Sequence, residues 1–345
     1  MSTALPGLFP EEIAERLELP KFRGRQIFRW IHAKGATDFA GMTDLSKELR
    51  ARLEADYAAS TLDVADTRVS RASGTRKLLF RLADGETVEA VLLRDDDRLT
   101  LCVSSQVGCP LGCAFCATGA AGFVRDLTAS EIVEQVLRLL QGEALGERTP
   151  NIVYMGMGEP FLNYEAVVRS IRLLMHAEGL GIGVRKITVS TVGEAEGIER
   201  FAGEDWQVRL SVSLHAANNA LRSELVPLNR RYPLGRLHDA FEHYQDATGR
   251  RVTFEWVLLE GVNDSVGHAA ELVDFARGLN VSVNLIPWNP AAGLPFRPPP
   301  PQRCQAFRDA LLGAGIKTTL RREKGGDIEA ACGQLRGIHN APSSG

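Results

Sequence analysis

Three of the six cysteines in this 345-residue chain lie within one short stretch, CPLGCAFC, which runs from Cys109 to Cys116. Thiolates at such close spacing, in a loop punctuated by glycine and proline, are typical ligands of a soft metal. A zinc site would need a fourth ligand from elsewhere in the chain. An iron–sulfur cube bound by Cys109, Cys113 and Cys116 would instead keep one iron open for a second molecule. Unrelated buried thiols are a third interpretation, and we favour the open iron–sulfur centre.

A glycine-rich turn with a carboxylate follows a later apolar segment. The stretch NIVYMGMGEP places Gly158 and Glu159 at the tip of a predicted strand. Glycine allows a close approach of the backbone, and a carboxylate accepts hydrogen bonds from an ammonium group. Polar stretches after three further predicted strands are suited to a ribose and a base, although each residue alone could be an ordinary loop or core residue. These stretches contain Ser190, Ser213, Leu214, His215 and Asn289.

From Leu101 onward, short apolar strands alternate with amphipathic helices. These elements must position the residues named above. We count six strand–helix units, and IKTTL near the carboxyl end is a possible further strand. Such repeats predict parallel strands joined by right-handed crossovers. The first strand is not followed by the nucleotide-binding pattern GxGxxG, so we favour a barrel over a Rossmann sheet. Because parallel strands end at one rim, the motifs should meet there.

The first hundred residues have a different pattern. The spacing of apolar residues in residues 1–60 predicts helices. In residues 61–100, short apolar segments separated by ASG and ADG predict a small antiparallel sheet with turns at these two sites. We therefore expect an α/β protein, with residues 101–345 forming a partial (β/α)6 barrel behind a helical accessory domain and a sheet extension. Thr43 or Asp44 is expected to cap the helix in DLSKELRARLEADY.

The cysteine spacing, with Phe115 just before the last cysteine, resembles the cluster loop of the radical S-adenosylmethionine (SAM) superfamily. The resemblance implies a [4Fe-4S] cluster on Cys109, Cys113 and Cys116, with SAM bound to the open iron. It also implies that Gly158 and Glu159 contact the SAM amino group. The polar residues after the later strands would then bind the ribose and adenine of SAM.

Six motifs extend the resemblance to the ribosomal RNA adenine methyltransferases of the RlmN/Cfr type. They are LCVSSQVGC, MGMGEP, STVG, SLHA, IPWNP and AACGQL, and they occur in this order between about Val88 and Leu335. The resemblance implies methylation of C2 of an adenosine in 23S rRNA and in tRNA. Methylation at C8, a radical SAM reaction on a non-RNA substrate and a zinc-stabilised RNA-binding barrel remain alternatives.

Three residues outside the cluster loop acquire roles from this resemblance. Cys332 would carry the methyl group, and Cys102 would release the product by forming a transient disulfide. Glu89 would accept the proton from the base. Two SAM molecules would be consumed per turnover. The simpler alternatives are that both thiols are packing residues and that Glu89 faces solvent, and Cys304 is interpreted as a core thiol without a role.

Composition limits the partners and the compartment. The net charge of −3 neither favours nor excludes nucleic acid, so RNA would bind local basic residues. The chain lacks a secretory signal and long apolar runs, which predicts a cytoplasmic protein without a membrane partner and with reduced cysteines. We expect it to be a monomer. The resemblance adds a flavodoxin-like one-electron reductant. Solvated surfaces are the alternative for both basic segments, which contain Lys21, Arg25 and Arg29, and Lys317, Arg321, Arg322 and Lys324.

Overall fold

The computed structural model describes residues 3–95, 98–144, 149–321 and 325–337. Its first part is helical, as the sequence predicts. A short parallel pair of strands brackets three helices: β1 (Thr3–Ala4), α1 (Pro10–Arg16), α2 (Lys21–His32), α3 (Lys47–Asp56) and β2 (Tyr57–Ala58).

The amphipathic pattern of α2 determines how this helix packs. Its apolar residues Ile27, Phe28 and Ile31 are buried, whereas the basic residues of the opposite face are exposed. The predicted cap of α3 is wrong. Ser46 caps this helix by accepting a hydrogen bond from the backbone N–H of Leu49 at 3.2 Å, because the helix begins two or three residues later than the pattern indicates.

One sheet of ten strands forms the centre of the molecule. Its antiparallel part consists of β3 (Asp63–Val69), β4 (Arg76–Arg81), β5 (Thr87–Asp95) and β6 (Arg98–Cys102). A hairpin of β7 (Gln106–Gly108) and β8 (Phe123–Asp126) surrounds α4 (Ala117–Ala121) and the cysteines. The parallel part continues through β9 (Asn151–Tyr154), β10 (Ile187–Thr191), β11 (Arg209–Ser213), β12 (Val252–Leu258), β13 (Val281–Pro287) and β14 (Lys317–Leu320).

Helices connect the parallel strands and cover one face of the sheet. The connections contain α5 (Ala129–Leu140), α6 (Tyr164–Met175), α7 (Ala195–Ala202), α8 (Asn219–Leu225), α9 (Leu234–Thr248), α10 (Val266–Phe275) and α11 (Pro301–Gly313). Phe254 and Trp256 of β12 pack their rings against Phe241 of α9 and Phe307 of α11. The alternation along a strand therefore turns Glu255 to the inner face.

The predicted partial barrel is confirmed, and IKTTL forms its last strand. In the described part of the chain, β14 and β3 are the two edges of the sheet, so the barrel stays open. The antiparallel strands are continuous with the barrel, because β6 pairs with β5 on one side and with β9 on the other. Within the same part of the chain, no helix has the length and apolar character needed to cross a lipid bilayer.

An aromatic joint connects the helical part to the barrel. The rings of Phe28 and His32 stack with their centroids 4.0 Å apart, and His176, after α6, meets Phe28 edge-on at 4.8 Å. Burial lowers the pKa of His32 to about 3, and the neighbouring His176 lowers it further. His32 is therefore neutral in the folded protein at neutral pH.

This joint predicts a loss of stability in mild acid. The unfolded chain binds a proton at His32 near pH 6.5, whereas the folded chain binds it only near pH 3, so stability is full above pH 6.5 and falls as the pH decreases below it. At pH 5 the proton that only the unfolded chain binds at His32 lowers the free energy of unfolding by about 2 kcal/mol. Urea unfolding at pH 7.5 and 5.0 measures this loss. His32→Leu should reduce it, whereas replacing the exposed His243 by leucine should leave it unchanged.

Candidate active site

The cysteine loop (residues 109–116) lies between β7 and α4, and three distant parts of the chain hold it. The backbone N–H of Cys109 donates to the carbonyl of Gly122 at 2.8 Å. The indole of Trp288, just after β13, donates to the carbonyl of Phe115 at 3.0 Å. The Phe115 ring meets His215, after β11, edge-on at 4.5 Å. The loop is therefore fixed at the carboxyl-terminal rim of the barrel, as expected.

The protonation of the cysteines fits a cationic metal centre. All six cysteines are free thiols. Burial raises the pKa of Cys109 to about 12 and that of Cys113 well above its ordinary value, and in both cases the charge of Cys116 raises it further. Three thiolates in this loop repel one another, and a positively charged centre removes both the repulsion and the protons.

The number of thiols in the loop distinguishes a single zinc ion from an iron–sulfur cube. A structural zinc ion needs four ligands, whereas the cysteine loop supplies three thiols. A cube with four irons can bind three thiolates and keep one iron open for a further ligand. His238, Asp239 and Glu242 place three potential ligand atoms within 4.8 Å of one another at the surface of α9, away from the cysteine loop.

Glu159 is buried at the end of β9 and links it to the end of β10. Its Oε2 accepts a hydrogen bond from the backbone N–H of Val192 at 2.8 Å, and its Oε1 accepts one from that of Phe161 at 3.1 Å. Burial raises the pKa of Glu159 to about 7. A bound ammonium group would restore its charge, so the environment suits the predicted contact with an amino group.

Gln106 positions this turn, and the sequence did not single it out. Its side-chain oxygen accepts from the backbone N–H of Glu159, and its amide donates to Asp126, both at 2.8 Å. Gly158 has a φ of +100°, and a Cβ at this position would lie 2.6 Å from the Cβ of Gln106. Glycine is thus required by contact with Gln106. The polar run SSQ directly before the cysteines was the available signal.

The other predicted site residues differ in whether their side chains already form hydrogen bonds within the protein. Within the described chain, neither the Ser190 nor the Ser213 hydroxyl has a hydrogen-bond partner, so both can bind a ligand. His215 Nδ1 accepts from the backbone N–H of Val257 at 3.0 Å, and the Asn289 amide donates to the carbonyl of Cys332 at 3.3 Å. Leu214 is buried. Binding of a cofactor by these residues stays a prediction.

Cys102 and Cys332 lie close enough for their charges to interact. Cys102 is the last residue of β6 and is buried, whereas Cys332 belongs to the C-terminal segment (residues 325–337) and is exposed. Burial raises the pKa of Cys102 to about 12, and the charge of Cys332 raises it further. The surrounding protein desolvates Cys332 enough to raise its pKa, while Arg321 opposes the shift. The two thiols are far apart in sequence, and only the fold brings them near each other.

Glu89 is buried in the sheet, so its interpretation as a solvent-facing edge residue is wrong. Its Oε1 lies 2.8 Å from Nζ of Lys77 on the neighbouring strand, and both side chains are buried. Its Oε2 accepts hydrogen bonds from the backbone N–H groups of Arg336 at 2.7 Å and Gly337 at 3.3 Å. Both carboxylate oxygens are therefore occupied.

The Lys77–Glu89 pair holds the C-terminal segment on both sides of Cys332. Lys77 Nζ donates to the carbonyl of Glu329 at 3.0 Å, three residues before Cys332, and Glu89 binds the backbone four residues after it. Two further bonds hold the segment on α4, directly after the cysteine loop. The backbone N–H of Ala117 donates to Gly333 and the hydroxyl of Thr118 to Leu335, at 2.9 and 2.6 Å.

Replacing Lys77 by methionine should loosen this segment. Removal of one partner leaves the Glu89 carboxylate buried and unpaired, which costs roughly 3–5 kcal/mol. We expect hydrogen exchange at the amides of Arg336 and Gly337 to accelerate by about two orders of magnitude. Arg68→Met is the matched control, because Arg68 contacts the carboxylate of Glu329 in an exposed pair at 3.9 Å. Unchanged exchange in Lys77→Met would contradict this function of the pair.

Comparison with known proteins agrees with this geometry. A family model described as the radical SAM superfamily matches residues 103–273, and a model of the ribosomal RNA large subunit methyltransferase N-terminal domain matches residues 11–58. The fold and the site thus define a radical SAM enzyme. The superfamily uses a [4Fe-4S] cluster and SAM, and these are the cofactors of this chain, which excludes the zinc-stabilised barrel.

Relatives that match nearly the whole chain identify the family within the radical SAM superfamily. The probable dual-specificity RNA methyltransferase RlmN of Thermotoga neapolitana is 49% identical over 97% of this chain and 98% of its own length. The probable dual-specificity RNA methyltransferase RlmN of Rhodopirellula baltica is 48% identical over 91% of this chain and 85% of its own length. The crystal structure of a radical SAM methyltransferase from Sphaerobacter thermophilus is 49% identical, with a TM-score of 0.95 over 97% of this chain and 100% of that chain. This chain belongs to the RlmN family of radical SAM methyltransferases.

Proposed function

We propose that this enzyme methylates C2 of an adenosine in 23S rRNA and of an adenosine in tRNA. One observation carries the proposal most directly. Two thiols that are not needed to bind the cluster lie near the cysteine loop: Gly333, next to Cys332, accepts a hydrogen bond from Ala117 directly after that loop, and the charge of Cys332 reaches Cys102 at the end of β6. A radical SAM reaction on a protein or small molecule gives neither thiol a function, whereas methyl transfer through a cysteine needs both.

Cys109, Cys113 and Cys116 would bind the cluster, and Glu159 with the free hydroxyls of Ser190 and Ser213 would bind SAM. Gly158 allows the turn, and Leu214, His215 and Asn289 complete the surrounding strand ends. When bound, the reduced cluster cleaves SAM to a 5′-deoxyadenosyl radical. The remaining chemistry belongs to three residues of the chain.

Cys332 carries the methyl group. Its thiolate attacks the methyl carbon of a first SAM, so that the new S–CH₃ bond forms as the sulfonium–methyl bond breaks and its electron pair stays on S-adenosylhomocysteine. Loss of one hydrogen atom to the adenosyl radical of a second SAM then makes the S-methyl carbon reactive. This carbon adds to C2 of adenine and joins the RNA to Cys332.

Glu89 and Cys102 complete the reaction. Glu89 takes the C2 proton, and for this its Oε2 must exchange the backbone N–H groups of Arg336 and Gly337 for the base. Cys102 then attacks the Cys332 sulfur. A disulfide forms as the bond from sulfur to the methylene carbon breaks, one electron would leave the adduct for the oxidised cluster, and the methylene carbon takes up a proton, so that the base is released with a methyl group. A cellular dithiol returns the disulfide to two thiols.

The RNA must be bound by local positive charge. Residues 1–60 are proposed as an accessory RNA-binding domain, in which Lys21 and Arg25 are exposed on α2. Arg29 is exposed but pairs with Glu178 at 2.8 Å. Lys317 is exposed at the beginning of β14 and Arg321 directly after its carboxyl end, whereas Arg322 and Lys324 lie outside the described residues. The target adenosine must leave its stack to reach the rim.

The proposal includes the remaining partners. A flavodoxin-like protein would supply the electron, and the enzyme would act as a cytoplasmic monomer, where thiols stay reduced. Residues 61–100 would serve as a sheet extension that supplies Lys77 and Glu89, and residues 101–345 would form the catalytic barrel.

Nucleoside analysis tests the proposed function. Ribosomal RNA and tRNA are digested from a strain lacking the gene for this chain and from the same strain carrying it on a plasmid. We expect 2-methyladenosine to be absent from the first and restored in the second. Appearance of 8-methyladenosine instead would identify the C8 reaction, and an unchanged nucleoside profile in both RNA classes would refute an RNA substrate.

A further inference from the structure

A buried arginine lies on α8, the short helix between β11 and α9. Arg222 of α8 is fully buried, and its guanidinium donates three hydrogen bonds. They run to the carbonyl of Leu214 at 3.1 Å, to Oδ1 of Asn229 at 3.0 Å and to the carbonyl of Val192 at 2.5 Å. Val192 and Leu214 directly follow β10 and β11, so Arg222 ties together two strand ends at the rim.

None of these acceptors is an anion. In the ranges that the structure describes, no aspartate or glutamate forms an ion pair with Arg222. Burial of a charged group without a counter-charge costs several kcal/mol, so such residues are rare. The cost is visible in the pKa of Arg222, which burial lowers to about 10. A neutral side chain would avoid this cost, so the charge itself requires a function.

The cysteine loop packs directly on α8. The backbone N–H of Ala114 donates to the carbonyl of Leu225 at 3.0 Å, one turn after Arg222. Cys113 and Phe115 belong to the same apolar cluster as Leu225. The unpaired cation therefore lies behind the Cys113 side of the cysteine loop.

We infer that Arg222 is a positioning residue whose buried positive charge compensates the negative charge of the cluster on Cys113 and so favours the one-electron reduction of that cluster. In this reduction the cluster gains one electron, an external donor loses one, and no bond to the chain changes. Net charge and hydrogen bonds near the sulfur atoms set the potential of such clusters, and the dry interior strengthens the effect of the charge. The inference rests on the proposed function only through its cofactor.

Asn229→Asp tests the charge without removing the guanidinium. The new carboxylate takes the place of the amide oxygen 3.0 Å from Arg222 and neutralises the cation while keeping its hydrogen bond. The full-length protein is reconstituted anaerobically, and its iron content is measured. Its potential is determined by titration with dithionite, followed by electron paramagnetic resonance. At a fixed potential we expect the ratio of reduced to oxidised cluster to fall at least about tenfold, which is a shift of about 59 mV to more negative potential.

Two further variants separate charge from structure. Arg222→Lys keeps the charge but loses the forked hydrogen bonds, so we expect lower thermal stability with a ratio within about threefold of that of the parent protein. Asn280→Asp is the matched control, because Asn280 accepts a hydrogen bond from Arg251 at 3.0 Å on the exposed surface. It should change neither iron content nor potential.

Each result decides the inference. A parental potential in Asn229→Asp with full iron content would refute it and make Arg222 purely structural. If Asn229→Asp binds less iron, a parental potential in Arg222→Lys supports the inference, and a tenfold lower ratio in Arg222→Lys refutes it. Failure of the parent protein to bind a four-iron cluster would refute both the inference and the proposed function. A cluster that is unaffected by Asn229→Asp in an enzyme that methylates RNA would refute only the inference.

Discussion

The Cys332→Ala variant is expected to lose RNA methylation by a factor on the order of 10⁴ or more, because no other group can carry the methyl carbon to the base. Cys332 lies in a segment that is held by backbone hydrogen bonds on both sides, so loss of its sulfur should leave the fold unchanged. Methylation is measured as transfer of labelled methyl groups from SAM to a 23S rRNA fragment. Iron content and the cleavage of SAM are measured on the same preparation.

Cys304→Ala is the matched control for this variant. Cys304 is buried in α11, where its sulfur lies 3.8 Å from the carbonyl of Pro299, and it has no proposed role. We expect this variant to lose some stability and to keep RNA methylation. Mass spectrometry of the parental Cys332 peptide should show an added methyl group after incubation with SAM. Substantial RNA methylation by Cys332→Ala would refute the route through S-methylcysteine.

The Cys102→Ala variant is expected to stop after the RNA has been joined to the enzyme. Without the second thiol, the bond between Cys332 and the methylene carbon cannot be broken by disulfide formation. The variant should therefore consume RNA once per active site and accumulate a covalent complex, with multiple turnover reduced at least about 10³-fold. Cys102 behaves as a small buried residue, so alanine should preserve the packing of β6.

Denaturing gel electrophoresis with labelled RNA detects this covalent complex. The double variant Cys102→Ala/Cys332→Ala is its control and should form no complex, because the carrier sulfur is absent. Release of methylated RNA by Cys102→Ala at the parental rate would show that another group resolves the intermediate. Cys102 would then have no role in product release.

Local patterns in the sequence were sufficient to predict the barrel, which the structure shows, and to propose the cluster ligands. The alternation of apolar strands with amphipathic helices reports which face of each element is buried, and this requires no knowledge of distant residues. The spacing of Cys109, Cys113 and Cys116 lies within a single loop, so its chemistry can be interpreted without the fold. The common rim followed because parallel strands all end on the same side.

Tertiary structure decided which distant side chains share this rim. The burial of Glu89 depends on the register of β4 against β5, which places Lys77 beside it and the C-terminal segment over it. Gln106 and Arg222 act through contacts with residues far away in sequence, and no periodic pattern marks such contacts. Sequence periodicity reports burial one element at a time, whereas the charge and hydrogen bonding of a site depend on how separate elements pack. The cluster loop could therefore be proposed from the residues alone, but its electrostatic environment and the influence of Cys332 on the pKa of Cys102 arise only in the folded chain.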